Sequence, residues 1–281
     1  MKPDSGPGRP ARLDAIERAH LKEPGDASHR MYRYGPPDRF TGLLRRYWIP
    51  VWSVPPGQES RQLVLQYPIC LLVVTPAYAR FYGVTTGLST TTLTGDGWAV
   101  GVMCAPAAGS LITGGPVAPH TDRSVDLADV LGDAADGLVA RIRTAMAGDP
   151  HTEEAHRAAM SAYGEVLERF LPVDAEGELV NEVVAFVEED SGVTRVAQVC
   201  ARFGLSERFL QRLLHRRLGL TPKWLIQRRR LQEAAERLRT GDGSLAETAA
   251  VLGYADQAHF ARDFARVTAM TPGRFAARHR G

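Results

Sequence analysis

The sequence predicts an α+β fold. A β-rich N-terminal domain with flanking helices precedes an all-α C-terminal domain, in which two helix-turn-helix units are joined by a long helix. Three observations predict it. Residues 32–110 are rich in Thr, Val, Tyr and Trp and are cut by Gly and Pro at short intervals, the texture of short strands and tight turns. From Leu179 onward apolar residues recur at helical spacing, as in Val180, Val183, Val184 and Val187. The C-terminal third contains a duplicated pattern. A chain of 281 residues has room for two domains at roughly 100–200 residues each.

Residues 1–30 read as a flexible segment, broken by Pro3, Gly6, Pro7, Gly8 and Pro10, with room for a short amphipathic helix at 12–20. A β-rich effector or dimerisation domain is expected over 31–171. Its strand candidates are Arg61–Tyr67, Ile69–Thr75, Ala79–Val84, Ser89–Thr94 and Trp98–Cys104, forming an antiparallel sheet or small barrel. Asp126 to Met146 then reads as one helix, or two broken at Gly132. A helix from Thr152 to Phe170 carries Ala155, Ala159 and Ala162 in one stripe, suited to a dimer interface or to packing on its own domain. Pro172 stops it, and 172–178 reads as a linker. The C-terminal domain, 179–281, is expected as helices at Arg195–Phe203, Glu207–Leu218, Pro222–Arg239, Leu245–Leu252 and Gln257–Thr268, with a last turn near Pro272.

Composition narrows the function. Apolar residues make up 44% and charged residues 23%, as in ordinary soluble domains. The longest clean apolar run, Ile69–Val74, is far short of the roughly 20 residues of a membrane span, and no secretory leader is visible. Cys70, Cys104 and Cys200 are odd in number and widely spaced, against a disulfide framework or a cysteine-rich zinc site, so a reducing cytoplasm is expected. The net charge of +2 hides an asymmetry. Residues 194–281 hold 17 Lys+Arg against 7 Asp+Glu, whereas residues 1–193 hold 17 against 25. A basic half beside an acidic half suggests a nucleic-acid-binding module joined to something else; the alternative is a dipole of solvated charges.

The internal repeat favours nucleic acid. Arg212, Leu214, Arg216, Thr221 and Pro222 are matched fifty residues later by Arg262, Phe264, Arg266, Thr271 and Pro272. Upstream the offset is forty-nine: Val196, Ala197, Ala201, Phe203 and Gly204 correspond to Leu245, Ala246, Ala250, Leu252 and Gly253. The extra residue falls in a turn, where insertions are tolerated. In each unit a short helix ends at a glycine, which accepts positive φ. An apolar residue follows (Leu205, Tyr254), and Ser206 or Asp256 caps the second helix. Cys200 and Ala249, four residues before the glycines, allow close helix crossing. That is the grammar of helix-turn-helix units in tandem.

On these residues, and on the closing run Gly253-Tyr254, His259-Phe260, Phe264 and Thr271-Pro272-Gly273-Arg274-Phe275, residues 179–278 resemble the DNA-binding domain of the AraC/XylS family of bacterial transcription regulators. The resemblance implies that each second helix enters a major groove of double-stranded DNA, about one turn apart. It implies base readout by Arg208, Gln211 and Arg212 in the first unit and by Gln257, Ala258, His259 and Arg262 in the second. Arginine can hold guanine O6 and N7, glutamine adenine N6 and N7, and alanine a thymine methyl. Arg216, Arg217, Lys223, Arg228, Arg229, Arg230 and Arg266 are expected at phosphates, which position without specifying. RNA polymerase and a homodimer partner follow as expectations, and an activator is one expectation, the sign of regulation being left open by the sequence.

Residues 32–147 also resemble the β-rich N-terminal domains of one AraC-like subgroup, through Leu43–Trp52, Val100–Gly109 and the acidic Val125–Leu131. A small-molecule effector pocket lined by Tyr67, Phe81, Tyr82 and Trp98 is one expectation, and aromatics that simply fill a core the other. No metal or cofactor is expected: the cupin pattern of histidines is missing, and His151 and His156 are five apart. Catalysis is not expected, since no triad, P-loop or dinucleotide motif is visible. The rivals are a repair-like enzyme fused to the DNA-binding domain, which would need a cluster of four cysteines, and a constitutive binder whose N-terminal domain only dimerises.

Overall fold

The computed structural model describes residues 20–21 and 26–279. The helix expected at 12–20 falls outside them except for His20, which bridges to Val64. Among the described residues nine strands form the N-terminal part: β1 His29–Tyr34, β2 Leu44–Ser53, β3 Ser60–Val64, β4 Leu71–Val74, β5 Ala79–Tyr82, β6 Ser89–Leu93, β7 Asp96–Trp98, β8 Val100–Cys104 and β9 Ser124–Asp126. Seven of them make an antiparallel sheet in the order β1-β2-β8-β4-β5-β9, with β7 also on β2; β3 and β6 form a separate two-stranded ribbon.

The single strand expected at Trp98–Cys104 is divided. β7 and β8 both pair with β2, and Ala99 between them donates to the carbonyl of Pro50 at 3.0 Å. Proline has no N–H to return, so the ladder is interrupted opposite it. Two tryptophans of β2 lie across from glycines, Trp48 opposite Gly101 and Trp52 opposite Gly97. A Cβ on Gly101 would lie 2.2 Å from the Trp48 ring, and one on Gly97 2.4 Å from the Trp52 ring. The glycines are therefore the room into which the indoles pack.

Alternation along the strands gives the sheet two apolar faces. Tyr47, Ile49, Leu72, Val74, Phe81, Trp98, Val100, Val102 and Cys104 share one core with α3 (Ala134–Met146) and α4 (Glu153–Leu167). The buried Tyr163 hydroxyl of α4 donates between the carbonyls of Val100 (3.1 Å) and Leu72 (3.3 Å), which pins the helix to two strands. Tyr67, Ile69, Leu71, Val73 and Ala99 fill the other face with Trp48, Trp52 and Tyr82 against them. The four aromatics expected to line one effector pocket are thus divided: Phe81 and Trp98 on the helix side, Tyr67 and Tyr82 on the other. Phe81 and Tyr82 are neighbours on one strand and cannot share a face. Ala155, Ala159 and Ala162 are buried against their own domain, and the outer face of α4 is polar. Burial pushes the Cys70 thiol up to about 12 and raises that of Cys104 as well, so both stay protonated.

Helices α1 (Ala108–Ile112) and α2 (Leu127–Leu131) complete this part, α2 ending at Gly132 with φ +58°. Seven helices follow: α5 Ala175–Glu189, α6 Val196–Phe203, α7 Glu207–Leu218, α8 Pro222–Thr240, α9 Leu245–Val251, α10 Gln257–Thr268 and α11 Pro272–His279. The expected linker at 172–178 is not a spacer. The Asp174 carboxylate accepts from Gly177 N at 2.8 Å and starts α5 within it. Asn181 of α5 accepts from Ala107 N (2.9 Å) and donates to the Gly42 carbonyl (2.8 Å). One apolar core runs from the sheet through α5 to Leu225 and Ile226. A second joins Leu21 and Leu65 to Leu231, Leu238, Phe260, Phe264 and Phe275. Among the described residues no helix is long and apolar enough to cross a membrane.

Gly101→Ala should destabilise the protein by about 1–3 kcal/mol, because the new methyl must displace the Trp48 ring. Denaturant unfolding measures it; an unchanged midpoint would show that Trp48 does not pack on Gly101.

Candidate nucleic-acid interface

Both repeat units fold as their local chemistry requires. α6 ends at Gly204, whose φ of +66° suits a residue without Cβ. Ser206 Oγ then accepts from Phe209 N at 3.3 Å, and α7 begins. In the second unit Gly253 has φ +70°, and the Asp256 carboxylate accepts from His259 N at 2.6 Å. Leu210, Leu213 and Leu214 are buried under α7, and Phe260 and Phe264 under α10. The outward faces follow by helical geometry: Arg208, Gln211, Arg212 and His215 on α7, and Gln257, Ala258, His259 and Arg262 on α10, are all exposed.

The joining helix α8 has a defined start and stop. Thr221 Oγ1 accepts from Trp224 N, Pro222 occupies the first turn, and Gly241 ends the helix at φ +75°. Its 19 residues rise about 28 Å, close to one turn of B-DNA at about 34 Å. α7 precedes it, and α9 and then α10 follow it.

The exposed side chains differ in how tightly they are held. Among the described residues, Arg208, Arg212, Lys223 and Arg262 have no hydrogen bond or ion pair, so their donors are available. Gln211 Nε2 donates to Glu207 at 3.1 Å, which leaves its amide oxygen open. His259 stands edge-on to Tyr254 with centroids 5.3 Å apart, and its Nε2 lies 3.6 Å from Asp263. Arg266 donates to the same carboxylate at 2.9 Å while staying 67% exposed.

The seven cations expected at phosphates do not form one set. Lys223 and Arg266 are exposed, and Arg230 lies half-buried with its guanidinium 3.8 Å from the Tyr254 ring centroid. Arg216 is exposed but paired with Glu176 at 2.5 Å. Arg217, Arg228 and Arg229 are buried, which corrects the expectation of phosphate contact for them. Arg217 donates to Ser110 Oγ (3.1 Å), Glu176 (3.0 Å) and Asp174. Burial works against its charge, but Asp174 and Glu176 outweigh that and hold its pKa above the ordinary value. The Arg217 hydrogen bond in turn holds Asp174 below the usual carboxylate range. Arg228 donates to the carbonyls of Thr86 and Gly87 and lies over Trp224; burial lowers it to about 10, still charged at neutral pH. Arg229 donates to the Val193 carbonyl (2.9 Å) and to Glu233 (3.1 Å). The physical reason is helical phase. Three consecutive residues sweep about 200° around a helix, so Arg228, Arg229 and Arg230 cannot share one exposed side.

Sequence reasoning missed Ser110, Asp174 and Glu176 as partners of Arg217, and also the buried Gln232, which donates to the Leu65 carbonyl at 2.9 Å. Asp174 and Glu176 did carry a signal, as acidic residues at a helix start. Gln232 carried none.

Residues 199–278 match a family described as a helix-turn-helix domain, and residues 32–126 match a domain of unknown function, DUF6597. The transcriptional activator RhaS of Escherichia fergusonii is 34% identical over 94 residues, 33% of this chain and 34% of RhaS. The chain thus spans about a third of the length of the RhaS relatives it matches. PqrA of Proteus vulgaris, a probable transcription factor, is 30% identical over 101 residues, which is 34% of this chain and 82% of PqrA. The crystal structure of ToxT from Vibrio cholerae aligns over 90% of this chain and 98% of its own, at 12% identity and a TM-score of 0.39.

Buried and exposed arginines should respond oppositely to truncation. Arg228→Ala leaves the Thr86 and Gly87 carbonyls without their donor and should cost about 1–3 kcal/mol of stability. Arg208→Ala should stay within about 0.5 kcal/mol of the parent. Unfolding of both variants checks the assignment; equal effects would contradict it.

Proposed function

The chain belongs to the AraC/XylS family of helix-turn-helix transcription regulators, and from that premise we propose that it binds double-stranded DNA in two adjacent major-groove segments and regulates transcription there. The observation that carries this reading is the pair of outward faces on α7 and α10, each with an unpaired arginine, flanking a helix about as long as one DNA turn. α7 reads with Arg208, Gln211 and Arg212, whose donors and amide suit guanine and adenine edges. α10 reads with Gln257, His259 and Arg262, and Ala258 meets a thymine methyl. Lys223, Arg230 and Arg266 contact phosphates and set the register. Arg216 joins them only by releasing Glu176.

RhaS is named an activator, and activation through contact with RNA polymerase is the mode we assign. The N-terminal domain serves as an effector sensor or a dimerisation unit. The separation of Phe81 and Trp98 from Tyr67 and Tyr82 favours a site other than one between those four. A thermal-shift screen of metabolites separates the roles, since a ligand of the native state raises the melting temperature.

Selection from random DNA by the full chain, at near-physiological salt, should return two short blocks about one helical turn apart. Arg212→Ala and Arg262→Ala should each cost about 1–3 kcal/mol and relax preference in one block only. Selection that enriches nothing, or variants that keep both preferences, would overturn the reading.

A further inference from the structure

We propose that Arg217 is a positioning residue, through which the N-terminal domain sets the first reading helix, α7, and not the second, α10. The inference rests on the DNA-reading role given above to these helices.

Arg217 lies in the last turn of α7, one residue after Arg216 and on the same helix as Arg208, Gln211 and Arg212. Its buried guanidinium gathers Ser110 Oγ from α1, the capping carboxylate Asp174 and Glu176 from the first turn of α5. Two carboxylates and a hydroxyl from outside the helix-turn-helix units therefore converge on one reading helix. The backbone is held there as well. Val117 N donates to the Arg216 carbonyl at 3.0 Å. That carbonyl belongs to the last turn, which has no partners within the helix. Gly219, at φ +70°, closes α7 against the segment 118–121. A Cβ on it would lie 2.4 Å from Thr121 Oγ1 and 2.9 Å from the Ala118 Cα. The side chains under α7, Leu210, Leu213 and Leu214, belong to the same apolar core as the sheet.

α10 is held differently. Among the described residues its hydrogen bonds and ion pairs stay within the second unit, at Asp256, Asp263 and Met270, and what it shares with the N-terminal part is apolar, a second core that takes in Leu21 and Leu65. The N-terminal domain also holds α8, through Arg228 and Gln232, but both units share α8. Among the described residues, of the two outward-facing helices only α7 is hydrogen-bonded directly to the N-terminal domain. A shift of α1 or of 117–121 moves α7 itself, whereas α10 has no hydrogen bond or ion pair to those segments among the described residues. Base readout tolerates displacements of only about half an ångström, so a small shift there is a change of specificity.

The test uses full-length protein and three DNAs: both selected blocks intact, the first scrambled, and the second scrambled. Arg217→Met should reduce the gain from an intact first block about five- to tenfold and leave the gain from the second block unchanged. Arg217→Lys, which keeps the charge, should restore most of the loss. Should Arg217→Met fail to fold, Ser110→Ala with Glu176→Gln carries the same expectation with the guanidinium kept. Equal losses in both blocks, or no loss in either, would overturn the inference. A wild-type chain that prefers neither block would overturn the DNA reading, and this inference with it.

Discussion

A guanidinium taken out of water must be met by carboxylates or carbonyls, and the architecture depends on how that requirement is satisfied at Arg217 and Arg228. The groups that meet them come from the N-terminal domain and from the start of α5. Removing a carboxylate from the Arg217 contact leaves its buried guanidinium with fewer partners, which is destabilising. The docking of the two parts is therefore specific as well as apolar. Part of the charge asymmetry between the halves of the chain is spent internally, since Asp174 and Glu176 on the acidic side neutralise arginines on the basic side.

That requirement sorts the cations by role. Of those facing the protein, Arg217 and Arg228 fix α7 and α8 against the sheet domain, and Arg229 ties α8 to Val193. Those facing outward, Arg208, Arg212, Lys223 and Arg262, keep every donor available. The sheet domain is stiff enough to act as the fixed side of the joint. Tyr163 ties α4 to two strands, Trp48 and Trp52 fill the space above Gly101 and Gly97, and Asn181 stitches α5 to the loops at Gly42 and Ala107.

The helix-turn-helix units were legible in the sequence because their signals are local. A positive-φ glycine, an apolar residue and a capping Ser206 or Asp256 act within a few positions, and duplication doubled the evidence. The long helix was legible for the same reason, from Thr221-Pro222 to Gly241. Strand β2 escaped notice as a strand because Arg45, Arg46 and Pro50 interrupt the alternation, and a register shift falls between Leu44 and Arg46. The pocket set erred on parity, since aromatic content says nothing of which face a side chain takes. The arginine run erred on helical phase, which only the packing partner of α8 decides. Each miss lies where tertiary contact, not local chemistry, sets the answer.

The most direct test of the central claim is a structure of the full chain on its selected DNA. The expected complex has α7 and α10 in successive major grooves on one face of the duplex, Arg212 and Arg262 at base edges, and Arg217 still joined to Asp174, Glu176 and Ser110. A complex in which α10 alone enters a groove, or in which Arg217 has left the domain junction for a phosphate, would contradict it.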